Sequence, residues 1–388
     1  MRHLRQLDGM RGIAALIVFG WHATTITRTM PWILAVTRLT PFGVLFSGAA
    51  AVAFFFVLSG FVLNLTYTAI ETYPPRWWVE FIVKRVFRIY PAYVVVIVAA
   101  AAMKFAGRGA SDPFSRTMLQ DWYITYWNEH FTLSDVLRTV AMAIPAAKAR
   151  VLDAPIWSLL VEMRISMIFP LVILACNGRR KLVTDLLLLV CAYVACYLTA
   201  FRLGVATVAH LPHFVLGALL AKRWGQIEGL KLSMAPRELG RWTSTLLVGS
   251  VALCCLGALA IAAEEGSGGI PMDTLPDYCA RQLVGLGAAG LIAAAIFSRR
   301  AAAFLGSPIL QFMGRTSYSF YLIHLLVLMG VIRTWVVVAG TASMLPVAAV
   351  SLPLTYVLAD LMARFVEKPC NEFGRATATK IRSVTTAN

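Results

Sequence analysis

The sequence predicts an all-α integral membrane protein, a bundle of about ten transmembrane helices with both termini cytoplasmic. Three observations carry that expectation. The 388 residues are 59% hydrophobic and only 14% charged. Their mean hydropathy is +0.73, outside the range of an ordinary soluble domain. The basic residues also crowd into alternate connections between the apolar stretches. Those stretches fall near residues 11–29, 43–67, 89–107, 155–176, 182–201, 204–221, 242–263, 281–298, 308–330 and 343–366. Most have the length of about 20 residues that a helix needs to cross a bilayer.

Lys and Arg number 35 against 19 Asp and Glu, a net charge of +16. Such an excess could serve nucleic acid, but its placement argues for topology. With the N-terminus inside, the cytoplasmic segments receive Arg2 and Arg5, the run Arg76 to Arg88, Arg179 to Lys181, Lys222 to Arg241, and the tail from Lys368. That is the positive-inside pattern, so the bilayer is the partner and nucleic acid is not. The basic start resembles a signal peptide without a cleavage site, and reads as a retained anchor helix. The seven cysteines show no metal spacing and read as small packing residues, with no metal site expected. No repeat and no phosphate-binding glycine loop is visible. Residues 1–370 read as one transmembrane domain. Residues 371–388 read as a short basic cytoplasmic tail without fixed structure. The connection 108–154 is long and aromatic, and reads as a segment folded over the outer surface.

The first apolar segment, RGIAALIVFGWHATT, carries Arg11 and His22. Ionisable groups inside a span are costly and mark functional candidates. Eleven helical residues turn through about 20° beyond three full turns and rise about 16 Å, roughly half the hydrocarbon thickness. One face thus carries a cation near one surface and a base near the midplane; an anchor arginine and a structural histidine is the competing reading. In VKRVFRIYPAY, Arg85 and Arg88 are neighbours on one helix face, suited to a phosphate or to simple anchoring. In APIWSLLVEMRISMIFP, Glu162 and Arg164 lie two apart, poor geometry for a mutual pair, so each needs a partner on another element. Glu162 falls about 10 Å below the outer surface, close to the depth of His22. It could orient a histidine base or engage a hydroxyl, or belong to a structural network. In GRTSYSFYLIHLLV, Ser317, Tyr318, Ser319 and Tyr321 add polar groups below His324, which alone reads best as a satisfied core histidine. His210 and His213 read as packing residues. FFFVLSGFVLN suggests close packing, and FVEKP a helix stop.

Taken in order, LDGMRGIAALIVFGWH, FFFVLSGFVL, RVFRIYPAY, WSLLVEM, SYSFYLIH and VEKP resemble the membrane-bound acyltransferase-3 family, over residues 4 to 369. That family includes O-antigen, exopolysaccharide, nodulation-factor and macrolide acyltransferases. The family's arginine–ten residues–histidine motif falls on Arg11 and His22, its paired arginines on Arg85 and Arg88. Its tryptophan–serine–leucine…glutamate motif falls on Trp157, Ser158, Leu159 and Glu162, and its late histidine on His324. The resemblance implies an enzyme of the bacterial inner membrane that moves an acyl group, with acetyl the first expectation, from cytoplasmic acyl-CoA to a carbohydrate hydroxyl. It implies His22 and Glu162 as catalytic groups, with Arg11, Arg85 and Arg88 on the CoA phosphates. Asp8, Trp157, Ser158, Tyr318 and His324 are further site candidates. No cofactor is expected to stay bound; acyl-CoA is the donor substrate. No Ser or Cys stands out as a nucleophile, so direct transfer is expected. A proton-coupled transporter would also need intramembrane Arg, Glu and His. A small metabolite such as a macrolide is an alternative acceptor. The other large membrane acyltransferase class needs a deep Asn–His pair, for which Asn64 is the candidate asparagine.

Overall fold

A computed structural model of the chain describes residues 4–27, 35–37, 40–68, 70, 73–74, 76–107, 119–143, 152–177, 182–203, 207–266 and 274–386. Among these, helices account for the architecture, and the only β-type pairing is an isolated bridge between Thr27 and Leu119. In chain order the helices are α1 (Arg5–Ile26), α2 (Gly48–Leu65), α3 (Trp77–Ala106), α4 (Asp121–Asn128), α5 (Leu133–Val140), α6 (Ile156–Cys176), α7 (Leu182–Leu203) and α8 (Leu211–Lys222). They continue with α9 (Trp224–Ser233), α10 (Pro236–Gly266), α11 (Leu275–Phe297), α12 (Arg299–Leu305), α13 (Pro308–Ala339), α14 (Met344–Met362) and α15 (Lys368–Thr386).

Eight helices among the described residues are long and apolar enough to cross a membrane, against the ten segments expected. The two shortfalls have separate causes. α1 is continuous over 22 residues, but Arg5, Asp8, Arg11 and His22 dilute its apolar run. The expected sixth segment, part of which lies outside the described residues, becomes a 3-10 turn at Val208–His210 followed by α8, with Pro212 in its first turn. At 12 residues α8 is too short to span on its own.

The chain forms two compact units. The first comprises Met1–Ile17, Trp32–Tyr73 and Met167–Gly314. Its helices approach closely because glycines remove the side chain at the crossing. Gly60 on α2 abuts the Phe214 carbonyl of α8, and Gly217 on α8 abuts the Val57 carbonyl of α2. This is the packing that the FFFVLSGFVLN run suggested, and it is the usual solution where apolar burial gives no preference between lipid and helix. Gly257 and Gly287 serve the α10–α11 contact in the same way. Asn64 and Asn177 exchange amide hydrogen bonds at 2.9 Å in both directions, and Asn64 also donates to the Ala218 carbonyl at 2.7 Å. Asn64, the candidate asparagine of the sequence, is therefore a helix clamp. Asp185 is held by Lys222 at 2.7 Å and by Arg223.

The second unit comprises Val18–Pro31, Pro74–Ser166 and Arg315–Asn388. Phe320 is fully buried at its core, packed on Phe19 (5.9 Å between ring centres) and Tyr356 (4.5 Å). The 119–128 stretch of the aromatic connection closes over the end of α1. Gln120 N–H donates to the Ile26 carbonyl at 3.0 Å, and Trp122 Nε1 to the Thr25 carbonyl at 2.7 Å. Residues 108–118 and 144–151 of that connection lie outside the described residues.

Two expectations change here. The FVEKP run does not stop the chain's helix. Residues Ala363–Glu367 form a π turn, with the Lys368 N–H reaching back to Ala363, and α15 follows directly. Pro369 lacks an N–H and cannot continue an α register; the wider turn just before it absorbs the mismatch. The tail from 371, expected to be unstructured, is helical to Thr386, with residues 387–388 outside the description. Its buried positions, Gly374 and Ala378, are small and four apart, and Gly374 lies against Phe87 of α3 while Phe373 packs on the same ring. A stripe of small residues carries little hydropathic signal, which is why the sequence reads as a basic tail.

Gly217→Leu should overpack the α2–α8 crossing by about 1–3 kcal/mol or more. Thermal melting in detergent should show a large downward shift. Gly225→Ala, where nothing lies within 4 Å of the added carbon, should melt like the wild type.

Candidate functional site

The second unit gathers most of the chemically interesting side chains, and they form layers along α13. The first layer resolves the buried charges. Arg85 of α3 places its guanidinium 2.6 Å from Glu162 of α6, and its Nε donates to Ser166 at 3.3 Å. Arg88, one turn further along α3, pairs with Glu367 at 3.3 Å and lies over the Tyr318 ring, 5.5 Å from its centre. Glu367 in turn accepts from the Ser319 N–H at 3.0 Å and from the Ser319 hydroxyl. The π turn matters here: widening the helix by one residue directs Glu367 inward, where its side chain is 4% exposed. The two arginines differ in what remains open. Arg85 is 15% exposed and Arg88 41% exposed. The Tyr318 hydroxyl donates to the Ile89 carbonyl at 2.6 Å.

One turn outward along α13, the Tyr321 and Ser158 hydroxyls meet at 2.6 Å, and both reach the Pro155 carbonyl, at 3.2 and 3.0 Å. Ser158 sits one turn before Glu162 on α6, so this contact joins α6 to α13 immediately above the ion-pair layer.

The third layer is a histidine pair. His324 is fully buried; its Nδ1 lies 2.6 Å from the Tyr321 carbonyl, and its Nε2 lies 3.0 Å from His22 Nδ1. His22 Nδ1 is also 3.0 Å from the Val18 carbonyl. These acceptors dictate the protons. A carbonyl only accepts, so His324 Nδ1 carries hydrogen and its Nε2 presents a lone pair. His22 Nδ1 then faces two acceptors and must be the donor to both. The lone pair of the neutral His22 ring is left on Nε2, which makes no hydrogen bond among the described residues. Stacking of His324 on Phe320, 6.2 Å between centres and 7° between planes, fixes the second ring. The arrangement is an oriented general base: a histidine locked in one tautomer by a second histidine, itself locked by a backbone carbonyl.

The structure thus brings His22 and His324 together, Arg85 and Glu162, Arg88 and Tyr318, and Ser158 and Tyr321. The sequence argument placed Glu162 near the depth of His22, to orient the histidine, to engage a hydroxyl, or to serve a structural network. In the structure the group bound to His22 Nδ1 is His324, while Glu162 meets Arg85. Glu162 and Arg164 do find separate partners, Arg164 donating to the Met142 carbonyl at 3.3 Å. Trp157 is half-buried at the start of α6. Arg11 and Asp8 belong to the first unit and pair with each other at 3.2 Å. Glu367 was read only as part of a helix end. The available signal was a carboxylate within an apolar run at the end of the last span, which should have demanded a partner.

The family model described as an acyltransferase domain, of the acyltransferase-3 type, matches residues 4–364. No curated protein and no protein of solved structure matches the chain.

A double-mutant cycle on Arg85 and Glu162, read by thermal unfolding, should give a coupling of about 1–3 kcal/mol. The same cycle on the exposed pair Asp360–Arg364 should give less than about 1 kcal/mol. Equal couplings would contradict the burial difference between the two pairs.

Proposed function

The chain belongs to the acyltransferase-3 family, and we propose that it moves an acyl group, acetyl first, from cytoplasmic acyl-CoA to a hydroxyl of an envelope or exported carbohydrate. The observation that carries this reading is the histidine pair, which leaves His22 Nε2 as a free, oriented base in an apolar helix bundle. In the proposed reaction His22 Nε2 takes the proton of the acceptor hydroxyl as its oxygen adds to the thioester carbonyl. The tetrahedral adduct collapses, the C–S bond breaks, and the proton passes from His22 to the CoA sulfur. While His22 is charged, its Nδ1–H bond to His324 strengthens, as a bond from a cation does. Glu162, paired with Arg85, holds α3 against α6 below the histidine pair. No covalent acyl-enzyme is invoked.

On the donor side, Arg88 is the member of the arginine pair with room for a phosphate, since its guanidinium is the more exposed. Arg85 acts by positioning Glu162. Arg11, on the stretch of α1 that belongs to the first unit, is the cation the sequence motif offers for the donor. The enzyme is an integral membrane protein, and we place it in a bacterial inner membrane with the donor on the cytoplasmic side.

The test is CoA release and acyl transfer by the purified protein in liposomes. His22→Ala, shown to be folded by size exclusion, should lose about 10²–10⁴-fold, the usual contribution of a general base. His324→Gln keeps an acceptor for His22 Nδ1 and should retain more activity than His324→Leu. Substrate movement across the membrane without CoA release would support a transporter and overturn the proposal. Full activity in folded His22→Ala would remove His22 from the reaction.

A further inference from the structure

α5, in the connection between α3 and α6, packs the wrong way round for a helix at a water surface. Leu133 and Leu137, four residues apart, are 72% and 59% exposed, while Thr139 is 1% exposed and Asp135 half-buried. A helix lying over a protein in water turns its apolar stripe inward. Here hydrogen bonds hold the other side. The Tyr93 hydroxyl of α3 donates to the Thr139 carbonyl at 2.5 Å, and Arg164 of α6 to the Met142 carbonyl just beyond α5. Beside the two leucines, about 100° round the helix, Ser134 and Arg138 form a second exposed strip.

The depth of α5 follows from the helices it touches. Just before it, the Phe131 ring receives Lys104 Nζ, 5.5 Å from the ring centre and two residues from the end of α3. Tyr93, which meets Thr139, stands thirteen residues before that end, an axial distance of about 20 Å. α5 therefore descends along α3. Residues 94–103 of α3, all Val, Ile, Ala or Met, flank the descent, and α3 exposes Val95, Val98 and Phe105 there. At the far end of the connection the Pro155 carbonyl accepts from Tyr321, eighteen residues and about 27 Å before the end of α13. Two contacts set the register of α3 and α13: Tyr318 on the Ile89 carbonyl, and Arg333 on the Gly107 carbonyl at 3.1 Å. Tyr93 lies one turn beyond Ile89 and Tyr321 one turn beyond Tyr318, so the two depth markers share a level. In a hydrocarbon layer about 30 Å thick, that level is at or past the middle.

We infer that residues 131–143 form a re-entrant segment, which enters the bilayer where α3 ends and reaches its middle, and that α5 is a wall between lipid and water. Leu133 and Leu137 meet lipid acyl chains. The Arg138 guanidinium lies too deep to reach a membrane surface along its own stem, and an exposed cation at that depth faces a water-filled cleft. Ser134 and Arg138 therefore line an aqueous inlet, open to the membrane side on which α3 ends and extending to the level of Tyr321. The inference holds whatever reaction the protein performs.

The experiment places a nitroxide spin label at one position at a time in the full chain in liposomes, with the accessible cysteines Cys191, Cys255, Cys279 and Cys370 changed to serine. Its collision rates are measured with oxygen, which concentrates in hydrocarbon, and with a water-soluble nickel chelate. Val98→Cys on α3 and Arg375→Cys on α15, both exposed positions, serve as the lipid and water references. Leu133→Cys and Leu137→Cys should match Val98→Cys, with an oxygen-to-nickel ratio severalfold above that of Arg375→Cys. Ser134→Cys and Arg138→Cys should instead approach Arg375→Cys. Nickel access at all four positions would put α5 in water outside the bilayer and overturn the inference. A high ratio at all four would remove the inlet, and exclusion of both reagents from Leu133 and Leu137 would put a second copy or another segment on that face; either result overturns it too. Each labelled chain must elute as the wild type does in size exclusion. Should Arg138→Cys fail to fold, the near-isosteric Ser134→Cys still tests the inlet.

Discussion

A charge enclosed by apolar helices must have its counter-charge delivered by another helix, and the second unit is organised by that requirement. Each pair joins distant parts of the chain: Arg85 to Glu162, and Arg88 to Glu367. Removing one partner of such a pair strands the other, which costs several times what an exposed pair contributes. The pairs therefore set the register in which α3, α6, α13 and the last span come together. The polar contacts further along α13 inherit that register. Ser158 can meet Tyr321 only because α6 is already held one turn below, at Glu162.

The same constraint explains why the candidate base is made of two histidines. A carboxylate next to His22 would itself need a cation or several hydrogen bonds in this environment. A second neutral imidazole orients the first without introducing charge, and its own proton is disposed of on a helix carbonyl. The pair can be buried in its resting form, and charge enters only during the proposed reaction.

Much of the fold was legible in composition. Runs of apolar residues with cations between them have few physical solutions besides a helix bundle in a bilayer, since only helices satisfy their own backbone there. The glycine-bearing FFFVLSGFVLN run announced a close crossing for a similar reason. Features that depend on small residues or on hydrogen-bond register were harder to see. α15 packs through Gly374 and Ala378, which barely register as apolar, and the π turn at Ala363–Glu367 leaves no compositional trace beyond the proline after it.

For the site, the sequence by itself determined which residues had to be accounted for. His22, Arg85, Arg88, Glu162 and His324 are conspicuous because ionisable groups in apolar helices are expensive, and that expense is a property of each residue and its neighbours in the chain. Who partners whom was decided only by the tertiary structure. The arithmetic of helical rise places groups at a depth, and it put Glu162 near the depth of His22 while His324 alone read as a satisfied core histidine. Depth leaves open the rotation of each helix about its axis and which helices are adjacent. Packing settles both, and it turned Glu162 towards Arg85 and His324 towards His22.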